Sequence, residues 1–410
     1  MKKATPLIIG GIVVITIAVV IVVTLKLKHK DVPEGKFMNM AGASYVGSSR
    51  CMLCHERKYL EWTTTLHSKM MQDAKANPLV VKGDFDTPNK IRSFGKGDFD
   101  YILGNRWREM YLKKVGDDFE VLPAIYEIQS NKWVILEDPS KKQWFKECAG
   151  CHATGVDPVK KTFKEPGIGC EACHGPGSNH VEAAKGYEIA TIINPKRLTA
   201  GSAAQICGSC HSRGKDRKGG YPYPVEYMTA RGLSNLYVHF NLANPKDNPD
   251  LFWRSGDGKY GYMQYLEWKE SEHAKAGITC TDCHVIHLGV GQSQTVRPGN
   301  TLCTGCHTTS ENRMAHKIHT FGSCIECHMP KTGIAGSGGW SIARSHTFRF
   351  ISPELSMRMG GLKNQPNSCS GCHHHKDTPL EDLVEFLDAA KKTDMPLPYS
   401  AHKRPKAEGK

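Results

Sequence analysis

The pattern Cys-x-x-Cys-His occurs eight times in the 410 residues and consumes every cysteine of the chain. The copies are Cys51/Cys54/His55, Cys148/Cys151/His152, Cys170/Cys173/His174 and Cys207/Cys210/His211. They continue as Cys280/Cys283/His284, Cys303/Cys306/His307, Cys324/Cys327/His328 and Cys369/Cys372/His373. Every cysteine falls in the pattern and a chain this long does not need disulfides to fold, which argues against a disulfide-stapled scaffold. Two thiols three positions apart share one face of a helical turn, and the next residue projects an imidazole beside them. That arrangement suits covalent attachment of one haem through its two vinyl groups, with the histidine as proximal iron ligand. Structural zinc would need a second Cys-x-x-Cys knuckle for each site, and a redox dithiol needs no following histidine. The expectation is eight haem c groups held by these 16 cysteines.

Each iron has a second axial position, and the chain has 20 histidines. Eight are proximal, His29 and His402 lie in basic ends, and His374 and His375 directly follow the last motif, awkwardly placed for their own iron. The remaining eight, His67, His180, His239, His273, His287, His316, His319 and His346, match the eight irons one to one. Tyr59-Leu-Glu-Trp62 followed by His67 recurs as Tyr265-Leu-Glu-Trp268 followed by His273. In this repeat the tryptophan reads as packing and the histidine as ligand. All-histidine ligation keeps the potentials low, because methionine is the axial ligand that raises them.

The formal charge is +13. A ferric haem with neutral axial ligands and two ionised propionates carries about −1, so eight would leave about +5, and nucleic-acid binding loses its motive. The basic residues read instead as propionate partners and solvated surface.

Residues 1–30 contain an apolar run from Leu7 to Leu25 flanked by Lys2, Lys3, Lys26 and Lys28. At about 1.5 Å per residue it nearly matches the roughly 30 Å hydrocarbon core of a bilayer. It ends in Thr-Leu-Lys-Leu-Lys rather than at a small-residue cleavage site, so it reads as an uncleaved transmembrane anchor. Haem c attachment takes place outside the cytoplasm, which orients the N-terminus inward. The division expected is an anchor at 1–30, a linker at 31–49, an octahaem domain at 50–395 and a basic tail at 396–410. With so little chain per haem, the expected fold is a multihaem cytochrome c: short α-helices and loops around a haem chain, with one small antiparallel sheet. Strands are expected near Trp107–Leu112, Phe119–Leu122, Ile125–Ile128 and Lys132–Leu136, and an amphipathic helix from about Pro379 to Lys392.

The block Gly167-Ile-Gly-Cys-Glu-Ala-Cys-His-Gly-Pro-Gly-Ser-Asn-His180, with the leading Cys51 motif and Trp62/His67, resembles the cytochrome c-554 family. That resemblance implies His180 as a distal ligand. Cys280-Thr-Asp-Cys-His-Val-Ile-His287 resembles outer-membrane conduit cytochromes, in which the second histidine ligates a neighbouring haem. Cys324-Ile-Glu-Cys-His-Met-Pro330 with Ser345-His346 is similar to the C-terminal part of pentahaem nitrite reductases and octahaem hydroxylamine oxidoreductases, implying His346 as distal ligand. The Cys-x-x-Cys-Lys site of several nitrite reductases has no counterpart.

The leading expectation is a membrane-anchored, extracytoplasmic single-electron carrier with no catalytic residues. Its partners would be redox proteins and a membrane quinol donor, and it could form a homo-oligomer. One alternative is a reductase or dehydrogenase of nitrite, hydroxylamine or tetrathionate at a five-coordinate haem, with Arg108, Tyr126, Tyr227 or His239 near substrate. The other is a subunit of a cytochrome filament that uses His374 and His375.

Overall fold

The computed structural model describes residues 40–136, 143–229, 232–233, 235–291, 293–307, 323–334, 341–371 and 375–391. The apolar run at 7–25, residues 31–39 of the linker, His316, His319, Cys372, His373, His374 and the basic tail lie outside them. Among the described residues no helix is long and apolar enough to cross a membrane.

Most helices are single turns, because the motif itself is one. His174, His211, His284 and His307 each donate a backbone N–H to the carbonyl of the first cysteine four residues back, at 3.0, 2.8, 2.8 and 2.9 Å. Each motif is thereby one closed α-helical turn with both sulfurs on one side. The longest helix among the described residues, α1 (Ser48–Thr63), carries the first motif and leaves helical geometry at His55.

Between the first and second motifs the chain builds a six-stranded antiparallel sheet: β1 (Met71–Asp73), β2 (Tyr101–Leu103), β3 (Arg108–Val115), β4 (Asp118–Val121), β5 (Ala124–Glu127) and β6 (Lys132–Ile135). Its order is β1-β2-β3-β5-β6, with β4 also paired to β3. Period-two alternation divides the strands between two cores. Leu103, Leu112, Phe119 and Val121 pack on Trp144, Phe145 and Ala149 beside the second motif. Ile102, Tyr111, Ala124, Tyr126 and Trp133 pack with Phe94 and Phe99 on the other face. The duplicated Lys-Gly-Asp-Phe-Asp segments converge there, with Phe85 and Phe99 at 5.6 Å between ring centroids.

Outside this lobe the cores are small, such as Ala204, Tyr227, Leu236, Phe240, Tyr265 and Trp268. The C-terminal helix spans Leu380–Lys391, with Leu383, Leu387 and Ala390 buried on one face.

Candidate haem centres

An imidazole nitrogen stands about 2.0 Å from a bound metal and about 1.1 Å from its ring centroid, so two imidazoles on opposite sides of one ion have centroids about 6.2 Å apart. Among the described residues, five proximal histidines have a second histidine ring at that spacing. His55 faces His180 at 6.2 Å with ring planes 13° apart, and His174 faces His287 at 6.2 Å and 13°. His284 faces His346 at 6.5 Å and 27°. His211 faces His67 at 6.2 Å and 72°, and His307 faces His273 at 5.7 Å and 71°. Imidazoles in bare contact would close to a smaller separation; these gaps fit an intervening iron.

The donor chemistry agrees. Nδ1 of His174 lies 2.7 Å from the Ile193 carbonyl, that of His180 2.9 Å from Glu188 O, that of His284 3.0 Å from Ser293 O and that of His346 3.0 Å from Arg344 O. A carbonyl can only accept, so Nδ1 carries the proton and Nε2 is left as the metal-binding nitrogen. Burial holds His211 and His346 down to about 4, with neighbouring imidazoles adding to the effect. Burial also lowers His67, His174, His273 and His287. Neutral rings are the ligating form. The residues present fit haem.

The sequence repeat proves to be a structural module. In its first copy Trp62 Nε1 donates to the Ile168 carbonyl at 2.9 Å, and Ile168 N donates to the His67 carbonyl at 2.9 Å. In the second, Trp268 Nε1 donates to Ile278 O at 3.0 Å, and Ile278 N to His273 O at 2.9 Å. Thr65 and Ser271 hydroxyls donate to the Trp62 and Trp268 carbonyls. Gly167 and Gly277, each just before the isoleucine, have φ of 76° and 77°, a left-handed turn that favours glycine. The full module is Tyr-Leu-Glu-Trp, a histidine, and Gly-Ile-x-Cys opening the next motif. Its Gly-Ile-x-Cys half escaped sequence reading because the first copy is interrupted between His67 and Gly167.

Sulfurs of different motifs approach one another. Cys51 neighbours Cys170, Cys151 neighbours Cys210, Cys207 neighbours Cys280 and Cys303 neighbours Cys324. Cys173 faces Cys210, and Cys283 faces Cys306. These neighbours arrange the motifs in the order one, three, four, five, six, seven, with motif two beside motif four.

The sequence sets Cys54 and Cys327 on equal terms with the other attachment cysteines, whereas the structure gives each a setting of its own. Cys54 is exposed on α1 together with Met52 and Leu53, because little of the chain packs against that side of motif one. Those side chains form the surface that a porphyrin would cover. Cys327 is half-buried in the turn Cys324–His328, and its carbonyl accepts the Ser368 hydroxyl at 2.7 Å. That bond ties motif seven to the residue preceding motif eight.

Other predicted positions are scattered. His239 closes a short helix, Leu236–His239, and meets no described histidine ring. Motif two's His152 lies in the turn Ala149–His152, and His328 closes the turn of motif seven. Cys369 and His375 are described, whereas Cys372 and His373 are not. Arg108 pairs with Glu127 at 3.2 Å, Tyr126 belongs to the aromatic core of the lobe, and Tyr227 is buried with Phe240 and Tyr265. These three do not converge on one site.

The family model for cytochrome c554 and c-prime matches residues 107–175, and a doubled Cys-x-x-Cys-His model matches 273–312. Cytochrome c-554 of Nitrosomonas europaea is 24% identical over 42% of this chain and 59% of its own length. A cytochrome c nitrite reductase subunit, NrfA, of Nitratidesulfovibrio vulgaris is 24% identical over 42% of this chain and 38% of its own. The chain thus spans well under two thirds of these relatives. The crystal structure of the outer cell wall cytochrome OcwA superposes with a TM-score of 0.68 at 23% identity, covering 84% of this chain and 86% of that one. Together with motifs folded as closed helical turns and imidazoles spaced for iron, these matches make the chain a multihaem c-type cytochrome of the cytochrome c554-like group.

Proposed function

We propose that the protein is an octahaem single-electron carrier working outside the cytoplasm, tethered by its N-terminal apolar run and served by redox proteins and a membrane quinol. The observation that carries this reading is the set of five histidine pairs spaced for six-coordinate iron. A six-coordinate iron has no open position for substrate, and ligation by two histidines favours low potentials. When bound, each haem supplies a one-electron Fe(III)/Fe(II) couple.

The chain's own part is to hold and orient. Each pair of cysteines fixes one porphyrin edge, carbonyls on Nδ1 fix the rotation of four imidazoles, and burial favours the neutral form of His67, His174, His211, His273, His287 and His346. The meeting of sulfurs between motifs supports close spacing of successive haems. His239, His316 and His319 are the candidates for the irons of His152, His328 and His373.

Low-temperature EPR and optical spectra of the oxidised, fully loaded protein test the reading, with mass spectrometry to count haems. Eight haems with only low-spin signals are expected, and no turnover of nitrite, hydroxylamine or tetrathionate. A high-spin iron, about one in eight, that responds to nitrite or hydroxylamine would overturn it in favour of a reductase or dehydrogenase.

A further inference from the structure

Arg213 lies just beyond the fourth motif, half-buried. Of the other half-buried arginines, Arg108 and Arg344 are paired with Glu127 and Glu326, and Arg92 spends its terminal amino groups on the carbonyls of Phe94, Phe85 and Thr87. Arg213 has no carboxylate among the described residues. Its Nε donates to the Gly261 carbonyl at 2.9 Å, and its guanidinium lies 5.5 Å from the ring centroid of Tyr260. The titratable groups facing it are the phenols of Tyr260 and Tyr262. Its two terminal amino groups donate to no acceptor of the described chain.

Tyr262 makes the surroundings more specific. It has a left-handed backbone, φ 63°, in which a bulky side chain is strained, and such strain persists only where the surrounding structure imposes it. Its side chain is closed in by the fold and neighbours Cys148 and Cys151 of motif two and Cys210 of motif four. It remains 45% accessible at the junction of those motifs. A half-buried cation is stabilised by an anion, and a planar guanidinium with two free amino groups matches a carboxylate. The chain supplies none there.

We infer that Arg213 holds a haem propionate at the junction of the second and fourth motifs, beside Tyr260 and Tyr262. This rests on the haem reading above. The pairing offsets the propionate's negative charge beside the iron, which favours the reduced state of that haem.

Arg213→Gln and Arg213→Lys are compared with the unaltered protein, all counted first by mass for eight covalent haems. In spectropotentiometry, Arg213→Gln is expected to lower one component, about an eighth of the absorbance change. At that haem's original midpoint its reduced-to-oxidised ratio falls about tenfold, equivalent to about 59 mV for one electron. Arg213→Lys keeps the charge and shifts the midpoint less. Resonance Raman propionate-bending bands shift in both variants, because the guanidinium fork is lost in both. Eight haems with unchanged titration and unchanged bands would overturn the inference. If Arg213→Gln does not load, Arg213→Lys alone decides by its bending bands. Absence of covalent haem in the unaltered protein would instead sink the haem reading.

Discussion

Replacing His67 with alanine separates ligation from packing more cleanly than any other single change. The ring faces His211 at 6.2 Å, with planes crossed at 72°. His273 and His307 form the other crossed pair, at 71°, whereas three pairs lie within 27° of parallel. Parallel imidazoles donate into the same iron orbital and split the two ferric π-orbitals, giving rhombic low-spin EPR. Crossed imidazoles leave those orbitals nearly degenerate, giving a strongly anisotropic signal with a large maximum g. His67→Ala should therefore remove one of two large-g signals, halving their summed intensity if no other centre adds to it. One high-spin iron appears, and the rhombic set is untouched. Added imidazole should restore the signal slowly, because His67 lies deep in the fold. Spin-quantified EPR on protein checked for full haem content is the assay. Unchanged large-g intensity would refute the pairing of His67 with His211; loss of a rhombic signal would show that His67 serves another iron.

Trp62→Phe and Trp268→Phe each delete one indole hydrogen bond to an isoleucine carbonyl, and each should cost about 1 kcal/mol by chemical denaturation without changing haem content. Glu267 is buried and accepts from Gly258 N and His346 N at 3.1 and 2.7 Å; burial raises its carboxyl from 4.5 to about 7. A raised carboxyl binds its proton more tightly when folded, so this contribution, roughly 3 kcal/mol, is present below pH 4.5 and lost as pH rises through about 7. Glu267→Gln should flatten that part of the stability profile; an unchanged slope would count against it. A methyl at Gly150 would strike the ring of Tyr223, whose hydroxyl donates to Phe145 O. Gly150→Ala should therefore cost about 1–3 kcal/mol, and Tyr223→Ala in the same chain should recover part of it.

What the sequence disclosed was local. The motif is a five-residue object, so all eight could be read directly. Strands β3 to β6 carry alternation over four or more residues, and the helix Leu380–Lys391 shows its apolar stripe. Strands β1 and β2 are three residues each, too short for a period to register. Partnership between histidines is different in kind. His55 with His180, or His174 with His287, joins positions more than a hundred residues apart, and nothing near either one names the other. Counting gave the number of distal ligands expected; only the folded chain assigns rings to one another. The same holds for the cysteines: Cys54 and Cys327 are indistinguishable from their counterparts by spacing, and only packing sets one on an open helix face and the other against motif eight.

The interrupted module leads to the most demanding prediction. In the intact copy, Ala274, Lys275 and Ala276 separate His273 from Gly277. Deleting residues 71–166 would join His67 through Ser68, Lys69 and Met70 to Gly167, the same spacing. The ends already adjoin, since a Cβ built on Gly167 would lie 2.8 Å from the Ser68 carbonyl oxygen. Every residue of the two hydrophobic clusters built on the sheet lies within the excised segment, and no residue of the other three does. The segment therefore owns its cores, and its removal takes whole clusters rather than halves of shared ones. What is lost across the boundary includes the hydrogen bonds from Thr154 Oγ1 to the Gly167 carbonyl, from Gly169 N to Thr154 Oγ1, from Ser48 Oγ to Glu165, from Tyr223 to the Phe145 carbonyl and from Gly104 N to the Met70 carbonyl, with the packing of the Tyr223 and Tyr45 rings on Gly150 and Gly155. The deleted chain should fold with seven haems, lacking only that of motif two. The large-g signal of His67 and His211 should remain, because the hydrogen bond from Ile168 N that positions His67 is retained. Loss of that signal, or of more than one haem, would mean that the lobe supports the haem chain rather than interrupting it.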